Sequence, residues 1–302
     1  MKLRSLFQGD GLIMVLTKVI KKAKDYGTLV MFSHTIFSLS FALISMLLAS
    51  NGLPSLSKVF WILVAFMGAR TGANAINRVI DAEIDSKNPR TAMRQLPQNL
   101  LQKKEVIIFS SVCFLIMVIA AAMLNPLCLI LSPIALFLLI IYSYTKRFTW
   151  ACHLVLGITS AAAPVGAWLA VTGKISLLPI LMGAANTLWV AGFDIIYGSQ
   201  DYEFDTTNGI HSIPARFGVK TSLHIAAFFH GITIILLFII GALSSKLGII
   251  YFIGLILITI LFIAEHKIVS PNNLTNIEVA SYGINQVISI VFLIFGVIDA
   301  LI

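Results

Sequence analysis

Apolar residues along this chain come in nine blocks, near residues 29–49, 58–80, 105–123, 126–144, 151–171, 177–197, 220–243, 247–264 and 277–300, with polar residues gathered between them. A run of about 20 apolar residues is long enough to carry a helix through the hydrocarbon of a bilayer. No water is present there to satisfy backbone groups, so only helices or closed barrels span it, and the alternation expected of barrel strands is absent from the sequence. The pattern predicts an all-α, polytopic membrane protein with nine transmembrane helices. Ahead of the first block, Ile13, Leu16, Val19 and Ile20 recur at helical spacing beside Lys18, Lys21, Lys22 and Lys24. Residues 1–28 therefore read as an interfacial amphipathic segment, with a solvated basic tail as the alternative, and residues 29–302 as a single membrane domain.

Composition agrees with this pattern. Hydrophobic residues make up 58% of the 302 and charged ones 11%, where a soluble domain carries about 25% charged residues. A disordered chain and an ordinary soluble enzyme are both excluded. The net charge of +8 sits mostly in alternate loops. Lys87, Arg90, Arg94, Lys103 and Lys104 fall within 81–104, Lys146 and Arg147 within 145–150, and Arg216 and Lys220 within 198–220. The other loops hold little beyond Lys58, Lys174 and Lys246. By the positive-inside rule the rich loops and the N-terminus face the cytoplasm and the C-terminus lies outside. Cys113, Cys128 and Cys152 are scattered without the spacing of a Cys-pair or Cys/His metal motif, so neither a disulfide framework nor a zinc site is expected.

Seven of the 13 acidic residues lie in two clusters at the cytoplasmic ends of predicted helices. The first holds Asn77, Asp81, Glu83 and Asp85; the second holds Asp194, Tyr197, Asp201, Glu203 and Asp205. Asn77, Asp81 and Asp85 are each 120 residues before Tyr197, Asp201 and Asp205, and a Pro-containing polar loop follows both clusters. This common frame predicts a parallel internal repeat of about four helices with a ninth added, and a site between the halves. Residues four apart share a helix face, so each cluster presents two carboxylates one turn apart, which repel without a counter-ion. A solvated helix end accounts for one such pair but not for two in one frame. Oxygen-rich sites suit Mg²⁺, which takes one or two carboxylates together with substrate phosphates. Two facing clusters suit a diphosphate between metal ions. Arg70, placed inside a predicted span on the face of Ala73, Asn74 and Asn77, points into the same cavity, since charge there is functional by default. Arginines also suit bidentate phosphate contacts.

With these residues the sequence resembles the UbiA superfamily of intramembrane aromatic prenyltransferases over essentially the whole chain. Asn77, Asp81 and Asp85 match the family's Asn-x-x-x-Asp-x-x-x-Asp motif. The stretch from Asn88 to Pro97, with Arg90 and Arg94, is similar to its basic loop. Asp194, Tyr197, Asp201 and Asp205 meet the second motif, and Tyr142, Lys146 and Arg147 resemble a Tyr-Pro-x-x-Lys-Arg segment, with Ser143 in place of Pro. The resemblance implies a nine-helix bundle with a central cavity open laterally to lipid, and Mg²⁺-dependent transfer of a polyprenyl group from its diphosphate to an aromatic ring. Within the family the chain most resembles 4-hydroxybenzoate polyprenyltransferases, and its basic-loop wording resembles the branch linked to menaquinone made through futalosine. The expected setting is respiratory quinone synthesis in a bacterial inner membrane, with no nucleic-acid partner.

On this resemblance Asn77, Asp81 and Asp85 hold one Mg²⁺, and Asp201 and Asp205 the other. Arg70, Lys146 and Arg147 contact diphosphate, joined by Tyr142, Arg78, Arg90, Arg94 and His211. Asp194 orients the acceptor or takes a ring proton, and Tyr197 orients the diphosphate. The first span lacks the Arg thought to meet an acceptor carboxylate in many relatives and carries His34 instead. The acceptor is thus 4-hydroxybenzoate held differently, or a dihydroxynaphthoate. Competing readings are a haem farnesyltransferase, a chlorophyll-type synthase, or a cation-coupled transporter. A transporter is expected to place its acids near the bilayer midplane.

Overall fold

A computed structural model describes residues 9–31, 36–50 and 52–302. Among these residues the protein is helical, apart from one isolated bridge between Ser270 and Asn273. The elements are α1 (Gly9–Leu29), α2 (Ile36–Ala49), α3 (Leu56–Lys87), α4 (Lys103–Leu124), α5 (Pro126–Thr145), α6 (Cys152–Thr172), α7 (Leu177–Gly198), a 3₁₀ turn (Ser199–Asp201), α8 (Tyr202–Asn208), α9 (Ile213–Leu243), α10 (Ile249–Ile268), a π turn (Val279–Ile284) and α11 (Asn285–Leu301). Among the described residues, eight helices or joined pairs are long and apolar enough to cross a membrane, and α2 is a shorter ninth. The chain is an integral membrane protein.

Two boundaries depart from expectation. The first span was expected over 29–49, whereas α1 runs to Leu29 and α2 starts at Ile36. Leu29 and Val30 are apolar because they dock into a pocket of Ala75, Ala82, Leu96, Leu101 and Val106, not because they open a span. His34, with Phe32, Ser33 and Thr35, lies outside the described residues. The second difference is length. At 32 residues α3 is about 48 Å long, well beyond a hydrocarbon core of about 30 Å, so its last turns stand clear of the apolar zone. Those turns carry the first acidic cluster.

Polar punctuation sets the helix ends. Ser55, Asn125 and Ser212 cap α3, α5 and α9 by accepting from the backbone amides of Lys58, Cys128 and Ala215. At the end with few charges, lysines take up carbonyls that other helix C-termini leave without partners. Lys58 donates to the Val171 carbonyl at 2.9 Å, and Lys246 donates to those of Leu47 and Ser50. Asp299 accepts from the Gly248 and Tyr251 amides at the start of α10. Gly218 (φ 77°) kinks α9, a conformation that L side chains resist.

Close helix contacts bring the acidic ends together. Gly68 and Gly72 of α3 face Cys113, Phe114 and Met117 of α4, and Ser110 donates to the Gly72 carbonyl at 2.8 Å. Gly157 of α6 lies against the Thr187 carbonyl of α7, so near that an added Cβ would stand 2.2 Å from it. On the far flank, Phe41, Trp189, Ile258 and Phe292 pack α2, α7, α10 and α11 into one core. Overpacking a well-filled contact costs about 1–3 kcal/mol. Gly157→Val is therefore expected to lower the thermal unfolding midpoint in detergent, while Gly231→Ala, with open space at its Cβ position, leaves it unchanged. Equal midpoints for both variants and wild type would remove the α6–α7 contact as a determinant of the fold.

Candidate active site

The last three turns of α3 present Asn77, Asp81 and Asp85 on one face, and all three line a cavity of about 650 Å³. Both aspartates are buried, and each meets cations. Lys146 lies 2.7 Å from Asp81, Arg147 donates to it at 3.2 Å, and Asn77 donates to it at 2.9 Å. Arg94 donates to both Asp85 oxygens, at 2.8 and 2.9 Å. Without such partners, two carboxylates in this setting would carry a large desolvation penalty. The loop after α3 also folds back beneath its own helix end, where the Thr91 hydroxyl donates to the Asp85 carbonyl at 3.0 Å.

The second cluster does not continue one regular helix, as the four-residue spacing had predicted. Tyr197 sits in the last turn of α7, Asp201 in the 3₁₀ turn and Asp205 in α8. The helix breaks at Gly198 and Ser199, where the Ser199 hydroxyl bonds back to the Ile195 carbonyl at 2.9 Å. Such back-bonding bends helices, and Gly lowers the cost of the break. Asp201 is held from the opposite half of the protein. Arg90 grips it with Nε at 2.9 Å and Nη2 at 2.5 Å, and its Nη1 donates to the Tyr197 hydroxyl at 2.6 Å. Asn88 donates to the same carboxylate at 2.9 Å. Burial alone would lower the Arg90 pKa, but its hydrogen bond and charge contact with Asp201 outweigh this and raise it. Asp205 is buried and accepts from Ser212 at 2.8 Å.

Deeper in the cavity, Asp194 pairs with His153 of α6 at 2.7 Å. His153 is buried, and its Nε2 has no hydrogen-bond partner among the described residues. Nothing in its sequence neighbourhood marked it, and only folding brings it to Asp194. Tyr282, also absent from the sequence expectation, lines the cavity and packs on Tyr197 with ring centroids 4.6 Å apart. Arg70, Arg78, Arg90, Arg94, Tyr142, Lys146 and His211 all line the cavity. Arg78 contacts the Leu29 carbonyl and the Met31 sulfur, and Tyr142 the Ala73 carbonyl. Arg147 is not part of the lining and instead braces Asp81 and the Ile80 carbonyl.

The cavity is amphipathic. Carboxylates and bases crowd one end, while Ile62, Phe66, Met117, Leu131, Leu138 and Val165 line the rest. Asp81, Asp85, Asp201, Asp205 and Asn77 form an all-oxygen donor set on two opposed elements, the chemistry that a hard divalent cation takes. Lys146, Arg94 and Arg90 pair with Asp81, Asp85 and Asp201 of this set. The polar end thus suits a metal-bound polyanion, and the apolar arm suits a hydrocarbon chain.

The chain is similar to several known proteins. Residues 38–290 match the sequence profile described as the UbiA prenyltransferase family. The chain is 31% identical over 246 residues to a protein of Tolumonas auensis named 4-hydroxybenzoate octaprenyltransferase, covering 82% of this chain and 83% of the relative. A Francisella tularensis subsp. tularensis protein of the same name is 28% identical over 260 residues, covering 86% and 89%. Among solved structures, a UbiA homolog from Aeropyrum pernix K1 superposes with a TM-score of 0.80 at 32% identity, covering 88% of this chain and 98% of that one. A UbiA homolog from Archaeoglobus fulgidus, bound to GPP and Mg²⁺, shares the fold at TM-score 0.66 and 20% identity, covering 92% and 100%.

The Arg90–Asp201 pair ties the 88–102 loop to the second cluster. A charge-assisted pair at a partly exposed rim contributes about 1 kcal/mol, on the order of fivefold in the loop's open population. Arg90→Ala and Asp201→Asn are each expected to speed protease cleavage within 88–102 to that extent, while Lys87→Ala, which removes an exposed pair with Glu83, leaves the rate unchanged. Wild-type cleavage rates in both variants would show that the pair does not hold the loop.

Proposed function

The chain belongs to the UbiA prenyltransferase family, and from that premise we propose that it transfers a polyprenyl group from its diphosphate to an aromatic acid, 4-hydroxybenzoate or a dihydroxynaphthoate, with Mg²⁺ as cofactor. The observation that carries this reading is the single cavity shared by both aspartate clusters, polar at one end and apolar along the rest. Relatives named 4-hydroxybenzoate octaprenyltransferase support the acceptor class. The basic loops support a bacterial inner-membrane location with the polar end toward the cytoplasm, and residues 1–28 are proposed as an interfacial segment.

Asn77, Asp81, Asp85, Asp201 and Asp205 are the proposed metal ligands, and the bound ions supply Lewis-acid neutralisation of the charge that develops on the departing diphosphate. Arg70 and Lys146 contact the diphosphate, with Arg78, Arg90, Arg94, Tyr142 and His211 around it and Tyr197 orienting it. Arg147, outside the lining, acts through Asp81. The reaction breaks the allylic C–O bond and forms a C–C bond to the ring, which then loses a proton. Asp194 accepts that proton or orients the acceptor, and His153 fixes the carboxylate at 2.7 Å. The apolar arm excludes water from the allylic cation. A cation-coupled transporter is disfavoured because the acids sit at the end with the basic loops, not at mid-span.

The deciding experiment incubates purified protein with Mg²⁺, a labelled polyprenyl diphosphate and a panel of aromatic acids, and reads products by mass analysis. Asp81→Asn and Asp201→Asn are each expected to lower kcat by about 10²–10³-fold, the scale of losing one transition-state charge partner. Arg70→Ala is expected to raise KM for the prenyl diphosphate more than for the acceptor. His153→Gln is expected to lower kcat with little change in prenyl-diphosphate KM. Full turnover by either aspartate variant would overturn the two-cluster site.

A further inference from the structure

Behind the cavity wall, three side chains outside its lining meet in the helix core. They are His230 of α9 and Glu265 and His266 of α10, each offering one ligand atom within 4.8 Å of the others. His230 Nδ1 lies 2.9 Å from His266 Nε2 and 3.5 Å from Glu265 Oε2. A tetrahedral ion with ligands at about 2.0–2.1 Å separates neighbouring ligand atoms by about 3.3 Å. Two edges of the triangle are thus within a few tenths of an ångström of that spacing.

Surrounding groups aim the lone pairs of His230 and Glu265 inward, while His266 Nε2 shares a proton with His230 Nδ1 that a bound ion would displace. His230 Nε2 lies 3.3 Å from the Trp189 carbonyl. Donation there puts the ring proton on Nε2 and leaves the Nδ1 lone pair facing the centre, the way a second partner orients a metal-binding imidazole. Glu265 is oriented likewise. Its Oε1 accepts from Asn285 Nδ2 at 2.8 Å, and Asn285 Oδ1 in turn accepts from Trp189 Nε1 at 2.5 Å. The other oxygen, Oε2, is buried without a hydrogen-bond partner and faces His230. Both His230 and Glu265 are almost wholly buried, at 1% and 0% exposed. Gly192 makes room for the cluster, because a Cβ there would stand 2.3 Å from His230 Nε2.

We infer that His230, Glu265 and His266 form a three-ligand site for a divalent cation of the Zn²⁺ class, with a fourth position open, distinct from the oxygen-rich diphosphate site. Two imidazoles and one carboxylate match the borderline ions and not Mg²⁺, which takes oxygen ligands. Glu265 and His266 lie in the last turn of α10, where the helix dipole also favours a cation. The chain lacks the cysteine spacing of a zinc motif, and the ligands come together only because α9 packs on α10. A cation there would pin α9 to α10 and, through Asn285 and Trp189, to α11 and the helix that carries Asp194.

The test uses the full chain in detergent, stripped with a chelator, loaded with Zn²⁺ or Co²⁺, desalted and assayed for metal. Wild type is expected to keep about one equivalent, as expected where a formed site binds its ion tightly, and so is the Asp81→Asn/Asp201→Asn double variant, which disables the other site. Glu265→Gln, His230→Gln and His266→Gln are expected to keep at least tenfold less, and the visible d–d bands of the Co²⁺ form to vanish with them. Asn285→Ala is expected to weaken retention by about 10–100-fold, the usual effect of removing an outer partner. Less than about a tenth of an equivalent in wild type would overturn the site and leave a hydrogen-bonded His–His–Glu network in its place. Retention that survives Glu265→Gln or His230→Gln, or that is lost only in the double aspartate variant, would overturn it as well. The wild-type result decides even where a variant fails to fold.

Discussion

Five aspartates line one cavity at the end of a membrane bundle, and three of them, Asp81, Asp85 and Asp201, are each met by cations, a constraint that shapes the site. Asp81 and Asp85 are buried, and the field of the pair is answered by Lys146, Arg147 and Arg94. Each of these cations comes from a segment other than the regular part of α3. Neutralising the carboxylates therefore also dictates how the 88–102 loop and the turn after α5 fold. Charge that would destabilise an isolated helix end becomes the glue between helix ends, provided that the partners remain in reach.

The same constraint joins the halves. Asn88 and Arg90 follow the first cluster in sequence, yet they bind Asp201 of the second. The fold thus couples two sites that a repeat would otherwise leave independent. Because the pairs are partly exposed, they can exchange partners. On the proposed function, a diphosphate would offer the arginines and lysine new acceptors, and Asp81, Asp85 and Asp201 would be left to hold divalent ions. No large rearrangement of the helices is needed for that exchange, since the oxygens already face the cavity from α3 and from the 3₁₀ turn with α8.

What the chain shows in one dimension depends on how local the physics is. The spans were legible because lipid imposes a continuous apolar run on each helix, and the aspartate frame was legible because charge is so scarce around it. The start of the first span was misplaced because Leu29 and Val30 are apolar for docking, a reason that composition does not separate from lipid exposure. The break at Ser199 escaped because i and i+4 spacing is compatible with a helix interrupted by a 3₁₀ turn. The acids that Arg90 and Arg94 meet were not legible, because a sequence shows a base near a site without showing which acid it holds. His153 and the His230–Glu265–His266 group were invisible for the plainest reason, since their partners lie 41 residues from His153 and 36 from His230.

Asp194 makes the last step. It lies within the cavity, away from the cations that hold Asp81, Asp85 and Asp201, and its near partner is a buried imidazole. An arginine keeps its proton and meets a carboxylate as a fixed charge. A carboxylate beside histidine keeps a route by which a proton can be shared and passed on, since imidazole carries one nitrogen for the acid and another for elsewhere. Among the described residues, His153 Nε2 is free of any other hydrogen bond. On the proposed function, the site separates its acids by task through their partners. Those matched with lysine and arginine suit metal and phosphate charge, and the one matched with histidine suits the proton that an aromatic ring gives up.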